Sequence, residues 1–155
     1  MTSDISIRAA RLNDRETLTE LCMRSKRSNG YDEAFMALCT EELRVQDLWI
    51  SEDDFWIAEA PDGRVVGCIR LSSDSCIGEL ETCFVDPDWK GKGVGKRLFE
   101  ALREKAKSIG LELIGLDADP FAEPFYARMG FRTIGRSPSG SIPGRTLPRM
   151  ELNLT

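Results

Sequence analysis

Residues 85–102 read VDPDWKGKGVGKRLFEAL, and the organisation of the whole chain follows from them. A β-type run closes at Val85 and Pro87 stops it. A turn containing Gly91, Gly93 and Gly95 follows, and a helix begins inside that turn. This helix is the most regular in the chain. Val94, Leu98, Ala101, Leu102 and Ala106 form one apolar side, with Lys and Glu opposite, up to about residue 109. A helix start offers backbone N–H groups without intrahelical acceptors and the positive end of the helix dipole. The glycines put no side chain in the way of a ligand, and Lys90, Lys92, Lys96 and Arg97 add positive charge. The combination points to an anion site, best suited to a pyrophosphate.

Two familiar phosphate loops do not fit. A Walker loop needs glycine where Lys90 stands and Ser or Thr where Arg97 stands. A Rossmann loop needs its last glycine beyond Gly95, in a parallel βαβ unit, whereas a hairpin precedes this strand.

Working outward, residues 5–9 alternate as a first strand, and Asn13 with Glu16 forms a capping-box pattern. Leu18, Leu21 and Cys22 mark one face of the helix that follows, which ends near Arg27 and is broken by Ser28-Asn29-Gly30. A second helix is predicted over 31–43 with Phe35, Leu38 and Cys39 on its apolar side. Residues 55–60 and 65–71 make a hairpin around Pro61-Asp62-Gly63, a polar loop covers 72–75, and 78–85 is the next strand. Beyond the long helix, closed by Gly110, come a buried strand over 111–116 and a short helix over 122–129 closed by Gly130. Two last strands, 131–135 and 148–154, flank the turn-rich SPSGSIPGRTLP. The order is β-α-α-β-β-β-α-β-α-β-β, an α/β chain with a mixed sheet, because hairpins lie beside a strand–helix–strand crossover. Trp49, Phe55 and Trp56 are assigned to the core.

Composition narrows the chemistry. A length of 155 residues argues for one domain over 1–155, and 41% hydrophobic residues supply a packed core. Zero His excludes Ser-His-Asp and Cys-His nucleophile pairs and His-ligated metal, so acid–base work falls to Asp, Glu, Tyr, Lys or Cys. A net charge of −5 argues against a dedicated nucleic-acid binder. Five cysteines without any C-x-x-C spacing read as reduced, mostly buried thiols, and no metal site is expected. No signal-type or membrane-spanning apolar run is visible, so the expected compartment is the cytoplasm, with no membrane partner.

The segment 85–102 resembles the acyl-CoA-binding signature of the GNAT N-acetyltransferase superfamily, Arg/Gln-x-x-Gly-x-Gly/Ala after a Val-x-Pro strand end. FAEPFYARMGF, residues 121–131, is similar to that family's second signature, Ala-x-x-Phe-Tyr-x-x-x-Gly-Phe, and the element order matches. The resemblance covers nearly the whole chain, from Ile5 to Leu154. It implies a mixed, mostly antiparallel central sheet flanked by helices. It also implies acetyl-CoA as cosubstrate and direct transfer of acetyl to a primary amine of a small molecule or peptide. A homodimer is a family-level expectation. The rival from another class is an acyl-CoA-binding or interaction module without turnover.

By position, the resemblance assigns the pyrophosphate to the backbone of Lys90, Gly91, Lys92, Gly93, Val94 and Gly95, with Lys96 beside them. It gives the pantetheine arm to main-chain groups of Cys83 and Val85, and a donor to the thioester oxygen near Cys83 or Phe84. Tyr126 matches the Tyr near the CoA sulfur, a suitable proton donor to a departing thiolate. Without His, the base is a carboxylate, Glu79 or Glu81; Glu79 falls where the histone-acetyltransferase branch carries its catalytic Glu. Lys90 replaces the usual Arg or Gln, and Pro124 is unusual in the short helix. Asp119 stands where the family has an Asn that contacts the cofactor, and an ionised carboxylate cannot donate there. Tyr31 and Arg145 are candidates for orienting an acceptor carboxylate or phosphate.

Overall fold

A computed structural model describes residues 4–155. Its strands are β1 (Ser6–Ala9), β2 (Asp54–Glu59), β3 (Val65–Asp74), β4 (Ile77–Val85), β5 (Leu113–Asp117), β6 (Arg132–Pro138) and β7 (Thr146–Asn153). The helices are α1 (Arg15–Arg27), α2 (Glu33–Leu43), α3 (Asp47–Glu52), α4 (Val94–Ser108) and α5 (Glu123–Arg128). The strands form one sheet in the order β1-β2-β3-β4-β5-β7-β6. Every neighbouring pair is antiparallel except β4 and β5.

Two apolar clusters cover the two faces of the sheet. One gathers Val94, Leu98, Phe99, Leu102 and Ala106 of α4 over Ile69, Leu71, Ile114 and Leu116. The other packs Leu18, Leu21 and Cys22 of α1 with Met36, Cys39 and Leu43 of α2 against Phe55, Ile57 and Cys68. Gly67 brings α4 close to the sheet: a Cβ there would lie 2.8 Å from Val94 Cγ1 and 3.0 Å from Leu98 Cδ1.

Several local expectations change. The short helix α3 is additional to the order read from the sequence. The polar stretch 72–75 is not a loop: β3 runs through Asp74 and turns tightly into Ile77, with Ser75 at φ 57°. Its polar residues hid the strand because the tip of this hairpin is largely solvated. Asn13 does not cap α1; Asp14 instead accepts the Arg11 N–H at 2.7 Å and closes a 3-10 turn over Leu12–Asp14. Leu38 is 56% exposed because the buried face of α2 is set by Met36, Cys39 and Leu43. On α4, Phe99 is fully buried and Ala101 only half so. Phe55 is core, whereas Trp49 and Trp56 are half-buried.

The decisive feature lies between β4 and β5. They pair only through Ile77↔Leu113, Gly78↔Ile114 and Glu79↔Gly115, and then part. At the point of parting, Arg149 of β7 crosses Gly115 to reach Glu79, with Nη1–Oε2 at 2.6 Å and Nη2–Oε1 at 2.8 Å. A Cβ on Gly115 would overlap that guanidinium, 3.1 Å from Cζ. Gly115→Ala is therefore expected to destabilise the fold by about 1–3 kcal/mol in urea denaturation. Gly135→Ala, which meets open space, is expected to stay within about 0.5 kcal/mol of the parent.

Candidate active site

The parting of the strands opens a cleft of about 720 Å³ lined by one side of β4, the turn before α4, the end of α1 and the segment from Asp117 to Met129. From Leu80 onward β4 is paired on one side only, with β3. Asp86 N–H donates to Val66 O at 2.8 Å, so by alternation Phe84 and Thr82 also direct their main-chain groups to β3. The N–H and C=O groups of Cys83 and Val85 therefore face the cleft. An extended ligand laid along them gains the hydrogen bonds that β5 does not supply.

The outer end of the cleft is basic. Gly91 and Gly93 adopt φ 76° and 82°, and Gly93 is the N-cap of α4, so the turn wraps back on the helix axis. The N–H groups of Val94, Gly95 and Lys96 have no acceptor inside the helix, while that of Arg97 bonds Gly93 O at 3.1 Å. Lys26, Lys90, Lys96 and Arg128 line this end. Lys90 Nζ is held 2.7 Å from Ser28 Oγ; burial lowers its pKa, against the pull of Asp119. Lys92 does not line the cleft itself; its ammonium stands 5.2 Å from the centre of the Trp89 ring, which does. Gly95 lies under Phe125, whose Cζ would be 3.1 Å from a Cβ there.

Asp119 lies on the cleft wall, but its carboxylate is already engaged. Oδ2 accepts from Lys26 Nζ at 3.1 Å and from the Tyr31 hydroxyl at 2.9 Å, and Oδ1 accepts the Phe121 N–H at 3.0 Å. Arg145 in turn donates to the Tyr31 hydroxyl at 2.7 Å. Burial pushes the Asp119 carboxyl upward, but the Phe121 N–H, Lys26 and Tyr31 together hold it below its ordinary value. Burial and the neighbouring carboxylate push the Tyr31 phenol up to about 12. Tyr31 and Arg145 thus meet an internal carboxylate, at the rim of the cleft.

Tyr126 is 6% exposed, on α5, packed between Phe125 and Phe131 with ring centroids 5.2 and 5.7 Å away. Its side chain and that of Cys83 both line the cleft, and the two groups interact electrostatically. Burial first, then Cys83, pushes the phenol well above its usual value, so it keeps its proton at all working pH. Burial also pushes the Cys83 thiol up to about 12, which makes it a poor nucleophile.

The two glutamates separate. Among the described residues Glu79 does not line the cleft, and both its oxygens are taken by Arg149. Glu81 does line it. The register runs Arg70↔Thr82 and then Leu71↔Leu80, which leaves Glu81 as the extra residue of a β-bulge. The bulge ends the shared side-chain parity of 79, 81 and 83. Burial raises the Glu81 pKa, Arg70 lowers it, and the carboxylates of Glu79, Asp53 and Asp117 raise it again. Glu42 and Asp117 also line the cleft and escaped the sequence analysis, and Trp49, assigned there to the core, lines it too. Arg70 was also missed, although a lone arginine inside the apolar run VVGCIRL is itself a signal.

A family model described as an acetyltransferase (GNAT) domain matches residues 11–154. The chain is 35% identical over 102 residues to the amino-acid acetyltransferase of Mycobacterium tuberculosis, covering 63% of this chain but only 56% of that protein. It is 28% identical to the peptidyl-lysine N-acetyltransferase YjaB of Salmonella typhimurium, over 96% of this chain and 97% of that one. The fold is shared with the PaiA N-acetyltransferase of Thermoplasma acidophilum, solved in complex with coenzyme A. That match has a TM-score of 0.80 at 23% identity, over 96% of this chain and 98% of that one.

A carboxylate whose pKa is raised in the folded state works against folding once it ionises. The penalty appears as pH rises above the unfolded value of 4.5 and through the folded one. Glu81→Gln is expected to raise the melting temperature at pH 7, with the gain disappearing below about pH 4 in thermal scans.

Proposed function

The chain belongs to the GNAT acetyltransferase family, and on that premise we propose that it transfers the acetyl group of acetyl-CoA to a primary amine of a small molecule or peptide. Transfer is direct, with both substrates bound together. One observation carries this reading: a strand paired on one side only runs from Glu81 to a glycine turn at a helix start, with a buried phenol facing its middle.

The residues fit the cosubstrate. Unpartnered N–H groups at the start of α4, with Lys90, Lys96 and Arg128 nearby, suit its diphosphate. The Cys83 and Val85 main chain suits its amide-bearing arm. About 13 Å of strand separates Glu81 from Val85, so the arm lies between the anion site and the bulge. The bound cosubstrate supplies an activated acyl carbon, and the protein supplies the rest. Main-chain N–H groups of β4 meet the charge that grows on the acyl oxygen. Tyr126, whose proton is retained by burial, gives it to the leaving sulfur in this reading.

The acceptor enters at the inner end, where Glu42, Glu81 and Asp117 line the wall. A primary amine arrives mostly as its ammonium form, and these carboxylates favour its entry. Glu81 takes one proton from the ammonium, which frees the lone pair for attack, and the second proton shed as the amide forms replaces the one Tyr126 gives to the leaving sulfur. The raised pKa of Glu81 narrows the gap to the ammonium, which is the sense a base in this position needs. Glu79 serves instead to fix Arg149 at the fork of the strands. Asp119 acts as a tie for Lys26, Tyr31 and Arg145, not as a cofactor donor. The five cysteines are free thiols, which suits a reducing cytoplasm. Among the described residues no helix is long and apolar enough to cross a membrane.

Acetyl-CoA titrated by calorimetry is expected to bind the parent and to bind Gly93→Asp at least tenfold more weakly, since that change puts a carboxylate and a strained φ at the anion site. In a thiol-release assay over amino acids, lysine peptides and simple primary amines, at least one amine is expected to release CoA faster than buffer. Tyr126→Phe is expected to lower kcat about a hundredfold with the KM for acetyl-CoA nearly unchanged. No release with any amine by a folded, acetyl-CoA-binding protein overturns the reading.

A further inference from the structure

Arg70 is one of four polar or charged residues that the core buries, at 6% exposure among the described residues. Its strand neighbours Ile69 and Leu71 join the apolar cluster under α4, so its own side chain leaves by the other face. There the guanidinium lies over Trp49, 3.8 Å from the ring centre. Nε donates to Thr82 Oγ1 at 3.1 Å, Nη1 to Asp53 Oδ2 at 2.8 Å, and Nη2 stands 3.8 Å from Glu81 Oε2. Three nitrogens of one rigid, planar group are thus aimed at two segments, one at the end of α3 and the others at the two adjacent β4 residues that form and follow the bulge.

A salt bridge that only anchored α3 to the sheet needs Asp53 and nothing more. The additional contacts have a different logic. Glu81 has no partner on β3, because the register skips it. An unpaired bulge residue can turn its side chain either way. Thr82 is the next residue, and its hydroxyl is fixed by Arg70 Nε, so the backbone leaving the bulge has one orientation.

We propose that Arg70 is the positioning residue for Glu81: it fixes the bulge that turns this carboxylate into the cleft and supplies the positive charge beside it. Trp49, which lines the same cleft, holds the guanidinium in its plane. The consequence for the reaction rests on the reading of Glu81 as proton acceptor given above.

The charges facing Glu81 come from four directions. Arg70 approaches from β3, Glu79 from β4, Asp53 from the segment before β2 and Asp117 from β5. Arg149 of β7 is occupied by Glu79 and Asp117. Removing the cation or removing one anion must therefore move Glu81 in opposite directions, which a purely structural role for Arg70 does not require.

The test is the titration of the Glu81 side-chain carboxyl carbon by NMR in the full chain, which needs no acceptor. Arg70→Met is expected to raise its midpoint by about 0.5–1 pH unit, Arg70→Lys to recover part of that, and Asp53→Asn to lower it. Shifts in the same direction for both substitutions, or none, overturn the proposal. Should Arg70→Met fail to fold, Arg70→Lys decides: it is expected to raise the midpoint less than the loss of the cation would, and an unchanged or lowered midpoint overturns the proposal. With an amine found by the thiol-release assay, the acid limb of kcat/KM is expected to follow these midpoints and to vanish in Glu81→Gln. An acid limb that survives Glu81→Gln removes Glu81 from the reaction, while the carbon titration still decides what Arg70 does to it.

Discussion

The divergence of two parallel strands after three paired residues organises this molecule. A strand inside a sheet spends its main-chain groups on two neighbours. From Leu80 onward β4 has only one, and the groups on the other side remain available at the floor of a cleft. Leaving such groups unpaired in a protein interior is costly. The fold meets this by leaving the parted edge open to the cleft and not sealed in the core. The Arg149 guanidinium, crossing Gly115 to grip Glu79, sits at the fork and marks where pairing stops.

The chain separates charge along this cleft. Lysines and an arginine stand at the outer end, where a helix begins, and carboxylates stand at the inner end, where the strands part. The whole protein carries −5, so the basic end is a local arrangement against an acidic background. Asp119 would disturb it, being an anion among those cations. It does not, because Lys26 and the Tyr31 hydroxyl engage it.

Much of this was legible in the residues. The glycine turn, the long amphipathic α4 and the second signature around Tyr126 are local patterns, and local patterns survive in a one-dimensional reading. What was hidden depends on register. Glu79 and Glu81 look equivalent by strict alternation, and only the bulge opposite Arg70 and Leu71 separates them. The tie of Asp119 to Tyr31 joins residues 88 positions apart, and no spacing rule announces it. The helix α3 is only six residues long, too short for its periodicity to show. Leu38 was placed inside because Phe35, Leu38 and Cys39 have helical spacing, but the competing Met36, Cys39, Leu43 face is the one that meets α1.

The network around Asp119 also bears on how the chain acquires its final shape. Lys26 and Asp119 are 93 residues apart, and Tyr31 and Arg145 are 114 apart. Contacts that close such long loops form only after most of the chain entropy has been lost, and they gather at the end of folding. The hairpins β2–β3 and β3–β4 need no such closure and can pair early. A partly folded chain would then hold much of its sheet before it had a finished rim to its cleft. A growing polypeptide with Arg145 still to emerge would also lack β7, so β1 to β4 can pair while the fork of the cleft, gripped by Arg149, and the tie at its rim wait for the same later stretch of chain.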